Sequence, residues 1–342
     1  MKRFVYLFIF YIIFLWYSCS YHENRELNEI FPKTIKLEAE KITIREIIKA
    51  GLILVLDDYL VVQNEYVPNE YCFFIYSLES YKFLYSFGKI GQGPDEYIAH
   101  RLIQNSNSNI LSIFDQASRE IDNFQITDTK PIFIGRNRIE DNRKEPYQEF
   151  SYLNDSIIIL SRWDYELCAY NINDGRFIST FHFETDIQRQ LEENYNVSLE
   201  AYHFSNYKDK IIIGHNYINN LSVGKIENGR FVINNRVLTN SEISPQTLRN
   251  KLYYLYVTST SDHIFAQYYG LPFMQLQPFP INMGKRIFNF YLEVYDWNMN
   301  PLVLLELDSD FLRCAIDEKR KTIYTWNPLE DFDYLLVYKY DF

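Results

Sequence analysis

Side chains able to do chemistry are scattered along this 342-residue chain. The six histidines are His22, His100, His182, His203, His215 and His263, and no two share metal-ligand spacing on one helix. Cys19, Cys72, Cys168 and Cys314 form no C-x-x-C pair and no Cys/His cluster of the kind that holds zinc. The last three sit among apolar and aromatic strand residues, which predicts buried thiols acting as small hydrophobes, with one disulfide left open. G-x-S-x-G, H-E-x-x-H and EF-hand patterns are absent. The pairs and triplets His100-Arg101, Arg162-Trp163-Asp164 and His215-Asn216 place polar groups on strands, where each could face a central channel. Strand alternation alone sends half of all side chains inward, so a packing role stands beside that reading.

A glycine-rich run, Phe87-Gly88-Lys89-Ile90-Gly91-Gln92-Gly93-Pro94-Asp95-Glu96-Tyr97, could present backbone N–H groups to a phosphate. No helix start and no Lys-Ser/Thr follows, so a P-loop is excluded. The glycines allow sharp reversals and close backbone approach, Pro94 fixes one turn, and Glu96 is expected near a channel mouth. A structural loop and a ligand-contacting loop are both open readings.

Composition tells what must position these groups. Aromatics make up 18%, with 30 Tyr and 26 Phe, which favours half-buried pleated surfaces. A polar turn followed by an apolar strand recurs six times, anchored on Leu60, Ile110, Ile157, Ile211, Ile264 and Ile323 at steps of 47 to 59 residues. Hairpins follow, the clearest turning at Asn173-Asp174-Gly175 and Glu227-Asn228-Gly229. The sixth unit lacks a fourth strand. The alternating segment 34–42 is an orphan that could supply it, pairing with 334–342. The expected fold is all-β: a six-bladed β-propeller of four-stranded blades closed by an N-terminal strand, with a pair of sandwiches as the alternative. Short helices are expected over 185–195 and 244–253, each with a capping signal. Asp58, Asp155, Asp209 and Asp262 recur before strands, as turn residues do.

At the front, Lys2 and Arg3 precede an apolar run over residues 4–17, then Ser18 and Cys19. That run is shorter than the roughly 20 residues a spanning helix needs. It resembles a bacterial lipoprotein signal, in which the cysteine is diacylated and becomes the first residue. Trp16 stands where an aliphatic residue is usual. The organisation implied is a signal peptide over 1–18, a lipidated tether over 19–33 and the propeller over 34–342.

The glycine-rich run also resembles a motif of the TolB-like six-bladed propeller lipoproteins of Bacteroidetes-type bacteria, through Gly88, Gly91, Gly93, Pro94, Glu96 and Tyr97. Asp95 stands where glycine is common. The segment from Leu292 to Glu318 is similar to that family too. The resemblance implies fold and an outer-membrane lipid anchor, on either face, and carries no activity.

The net charge is −11, and losing Lys2 and Arg3 takes it to −13. Such a chain repels polyphosphate, which argues against a nucleic-acid partner. The expected function is a lipid-anchored envelope module that binds a protein, peptide or glycan through a Tyr-rich rim, with no cofactor. The alternative is a channel-based hydrolase or lyase, with or without calcium.

Overall fold

In the computed structural model the described residues are 30–47, 49–65, 70–91, 93, 96–103, 105, 109–141, 146–162, 166–182, 202–216, 219–237, 251–272, 291–311, 313–327 and 334–342. The apolar anchors of the sequence repeat become the second strands of six sheets. Leu60-Val61-Val62, Ile158-Ile159-Leu160 and Ile211-Ile212-Ile213 are all fully buried. A blade in the ring is covered on both faces, so its middle strand carries a continuous apolar run where a one-sided sheet would alternate.

Two short strands come first, β1 (Thr34–Leu37) and β2 (Glu40–Thr43). The first sheet comprises β3 (Ala50–Leu56), β4 (Tyr59–Asn64), β5 (Tyr71–Ser77), β6 (Phe83–Ile90) and β7 (Glu96–Tyr97). The second comprises β8 (His100–Ile103), β9 (Ile110–Asp115), β10 (Glu120–Gln125) and β11 (Ile132–Arg138). The third holds β12 (Tyr147–Asn154), β13 (Ile157–Arg162), β14 (Leu167–Asn171) and β15 (Arg176–Phe181). The fourth holds β16 (Tyr202–Tyr207), β17 (Lys210–His215), β18 (Asn220–Glu227) and β19 (Arg230–Val237). The fifth runs β20 (Lys251–Ser259), β21 (His263–Pro272), β22 (Tyr291–Asp296) and β23 (Pro301–Leu307), and the last contains β24 (Cys314–Asp317), β25 (Thr322–Thr325) and β26 (Tyr334–Lys339). The protein is a six-bladed β-propeller.

The segment 34–42 does not form one strand. β1 lies parallel to β23 on the fifth sheet, with Thr34 opposite Leu304. β2 lies antiparallel to β26 on the sixth, with Glu40 opposite Val337. The sixth sheet therefore draws on both ends of the described chain. Asp308 holds the crossover: its carboxylate accepts from Ala39 N–H at 3.2 and 3.3 Å and from the Tyr338 hydroxyl at 2.9 Å. A single strand cannot follow two sheets that diverge, so the chain breaks at residues 38–39 and changes blade.

Six apolar cores lie at the six junctions between neighbouring blades. One joins Leu60, Phe74 and Tyr76 of the first sheet to Tyr324 and Val337 of the sixth. Another joins Phe73 and Ile75 to Leu111 and Phe124 across the first and second. The tyrosines belong here. Tyr76, Tyr97, Tyr147, Tyr152, Tyr170, Tyr254, Tyr295, Tyr324 and Tyr338 are all buried, whereas among described tyrosines only Tyr71 and Tyr334 are well exposed. The expected Tyr-rich rim is therefore not seen among the described residues. A flat ring fills the wedge between two twisted sheets, and its hydroxyl reaches a polar partner at the edge. The Tyr147 hydroxyl donates to Asp141 at 2.6 Å, and those of Tyr254 and Tyr295 donate to Glu293 at 3.0 and 2.7 Å.

The hairpin predicted at Asn228-Gly229 has both residues at positive φ, 51° and 73°, the geometry of a tight two-residue turn. Of the two helices expected, 185–195 lies outside the described residues. So does most of 244–253, but residues 251–253 begin β20, because Leu252 and the following Tyr254 are buried in the ring.

Candidate functional site in the central channel

The inner strands β3, β8, β12, β16, β20 and β24 face a common axis. Between them lies a cavity of about 350 Å3 to which all six contribute. Among the described residues its charged lining consists of Arg101, Lys208 and Arg313 against one carboxylate, Glu149. The sign is opposite to that of the whole chain, at −11.

The groups are organised across blades. Glu149 on β12 bonds through one carboxylate oxygen to Nδ1 of His203 on β16. The other oxygen accepts from the backbone N–H of Phe204 at 3.0 Å. The His203 ring lies 4.4 Å from that of Tyr256 on β20, and the Arg313 guanidinium sits 4.1 Å from the same tyrosine ring. Arg101 on β8 donates to the backbone carbonyl of Gln148. Burial pushes the Glu149 carboxyl up, but His203, Arg313 and the Phe204 N–H outweigh it and hold it below the usual carboxylate range. Desolvation, then repulsion from Arg313, pulls the Arg101 guanidinium down. Arg101 is nevertheless solvent-accessible, as a side chain projecting into a channel is.

Of the residues expected to face the channel, Arg101 does. His100 does not: it is buried with its ring 5.1 Å from Phe73, because its neighbour on the strand takes the inward face. Arg162 closes β13 instead, ion-paired to Glu166 and to Asp141 at 3.2 Å, with its guanidinium 4.5 Å from the Phe177 ring. His215 ends β17, buried, its Nε2 2.9 Å from the Ser222 hydroxyl, and desolvation pushes its pKa down to about 4. Second strands lie behind the inner ones, which is why neither residue reaches the axis. Asp164, Pro94 and Cys19 lie outside the described residues.

The glycine-rich run folds on itself. β7 pairs parallel to the end of β6, with Lys89 opposite Glu96. The Glu96 carboxylate does not stand at the channel mouth; it turns back and accepts from Gly93 N–H at 2.7 Å. A Cβ placed on Gly91 would lie 1.9 Å from that carboxylate. Gly88 has φ +67°, and a Cβ there would meet the Phe73 and Tyr97 rings at 3.0 and 3.1 Å. Tyr97 is buried in edge-to-face contact with Phe73 and donates to Asp122 at 3.3 Å, tying the loop to the second blade.

None of Cys72, Cys168 and Cys314 is joined in a disulfide. Burial pushes the Cys72 and Cys314 thiols up to about 12, so neither is a ready thiolate. Among the described residues no three His, Cys, Asp or Glu side chains converge as a metal-ligand group.

Sequence reasoning missed Glu149, His203, Tyr256 and Arg313. A signal existed. Glu149, His203 and Tyr256 each lie eight residues before the apolar anchor of their own unit, Ile157, Ile211 and Ile264. Equal offsets in a repeat mean equal positions in successive blades, so three dissimilar side chains meet at one level of the channel.

No family model matches this chain, and no curated protein does. Solved structures do resemble it. A member of the DUF4221 family from Bacteroides vulgatus ATCC 8482 is similar over 89% of this chain and 98% of its own, at 12% identity and TM-score 0.55. A protein described as exported, from Bacteroides fragilis NCTC 9343, is similar over 88% and 94%, at 12% identity and TM-score 0.53. The WD40 repeats of RRP9 are similar over 88% and 97%, at 9% identity and TM-score 0.50. At such identities the likeness is one of propeller fold.

Proposed function

We propose that this protein is a lipid-anchored propeller of the bacterial envelope, of the TolB-like kind, serving as a binding or scaffold module for a protein, peptide or glycan. The observation that carries the reading is the convergence of six inner strands on one cavity whose wall differs in charge from the rest of the molecule. Propellers use this arrangement to present groups from several blades to one ligand. An exported structural neighbour and the signal-like residues 1–19 support placement in the envelope. Acyl chains on Cys19 would hold the protein stably, since each buried methylene contributes about 0.8 kcal/mol.

Two experiments test this. Affinity capture of envelope proteins and glycans with the full-length protein should recover a reproducible partner; repeated recovery of nothing above control counts against the binding module. Cys19→Ala should move the protein from the membrane fraction to the soluble one, and unchanged fractionation removes the lipid anchor.

A further inference from the structure

The lining of the channel carries the chemistry of the ligand it would hold. Two guanidiniums, from Arg101 on the second blade and Arg313 at the start of the sixth, project into it. They are close enough to repel one another. Neither is ion-paired by a carboxylate among the described residues: Arg101 donates to a backbone carbonyl, and Arg313 rests on the Tyr256 ring. The nearby carboxylate, Glu149, attracts both guanidiniums, but its oxygens are bonded to His203 and the Phe204 N–H, and it forms an ion pair with neither arginine. Two cations of like sign facing one small cavity are costly unless an anion joins them, and a guanidinium presents a planar fork that matches an oxyanion. Lys208, lining the same cavity, adds to the positive potential. The volume, about 350 Å3, lies at the low end for ligand clefts, which run roughly 300–1,000 Å3. That excludes a folded domain from the cavity and suits a small molecule or the end of a peptide or glycan chain.

Resting on the binding-module reading, we infer that the channel binds a small ligand through its oxyanion group, a carboxylate or a phosphate, held between Arg101 and Arg313 against the Tyr256 ring. Glu149 faces the same space and selects for hydroxyl or ammonium donors on the rest of the ligand, because an acceptor there would meet a carboxylate. The positive lining inside an acidic body also discriminates by size. A small anion reaches the arginines, whereas an extended polyanion must first pass a negative exterior.

The test is isothermal titration of the full-length protein with glucuronate, succinate, glutamate and inorganic phosphate, with glucose as the uncharged comparison. At least one anion should bind at least about tenfold more tightly than glucose, the difference expected when charge-assisted hydrogen bonds are gained. Arg101→Gln and Arg313→Gln should each weaken that anion by about tenfold or more, and Arg101→Lys and Arg313→Lys by less, because charge is kept and the fork lost. Glucuronate and glutamate against succinate reports the donor preference of Glu149, and phosphate against the carboxylates reports which oxyanion the pair accepts. If no anion exceeds glucose, the inference fails on the unaltered protein, whatever the variants do. If an anion binds and both Gln variants, still folded by circular dichroism, bind it equally well, the inference also fails. Envelope capture that succeeds while every anion fails would sink this inference alone and leave the binding module standing.

Discussion

His215 and Glu293 are buried groups whose charges oppose burial in different directions. His215 is held neutral, with its pKa pushed down to about 4 by desolvation. The unfolded chain binds a proton below about 6.5 and the folded chain does not until about 4, so stability falls as pH drops through that window. His215→Gln should flatten acid unfolding there, by up to about 3 kcal/mol at pH 4. Denaturant titrations between pH 4 and 7 measure it, and an unchanged slope contradicts the burial argument. Glu293 is pushed up to about 7 by burial, although Tyr295 and Tyr254 donate to its carboxyl and pull it down. Its folded pKa is raised, so its contribution is fully present below about 4.5 and is lost as pH rises through 7. Glu293→Gln keeps an acceptor for both tyrosines and carries no charge. It should be more stable than the parent at pH 8, by about 1–3 kcal/mol, and equal to it near pH 4.

Strands and loops carry predictions of their own. The glycine-rich run is held by Glu96 accepting from Gly93 N–H, in space that a methyl on residue 91 would occupy. Gly91→Ala should displace that carboxylate and cost about 1 kcal/mol, the scale of one lost hydrogen bond; Glu96→Gln should cost less. Thermal melts of both variants decide the order. The run reads from sequence as a turn-rich loop because glycine spacing is local information. That Glu96 points into the loop and away from the axis depends on the β6–β7 register, which is tertiary. The same holds for 34–42: its alternation marks strand, but its division between two sheets follows from where Asp308 and Tyr338 stand.

Across the whole molecule, stability lies at the six junctions between blades. Several are bridged by polar pairs as well as apolar cores: Arg320 to Asp58 at 2.5 Å, His263 to Glu318 at 2.5 Å, and the hydroxyl of Tyr59 to Asp128 at 2.8 Å. β1 and β2 cover the outer edges of the fifth and sixth sheets. Deleting residues 34–43 should expose two unpaired edges, which are templates for intermolecular pairing. Light scattering should show association, and the melting temperature should fall by several degrees. A monomer of unchanged melting temperature would show that those strands are ornamental.

The repeat, the number of blades and the second-strand cores were legible in the amino-acid order, because burial on both faces writes an apolar run into every unit. The tight turns were legible too, since Asn-Gly and Asp-Gly encode their own backbone angles. The channel was legible at Arg101 alone, as a strand residue that could face inward. Arg101, Glu149, His203, Tyr256 and Arg313 come from five blades, and the last four look ordinary among their sequence neighbours. Ring closure brings them to one level, and only the relative rotation of neighbouring sheets sets which side of an inner strand faces the axis. Side chains that meet across more than 200 residues leave no local pattern, so their common chemistry, two guanidiniums beside one carboxylate, emerges when the blades are assembled.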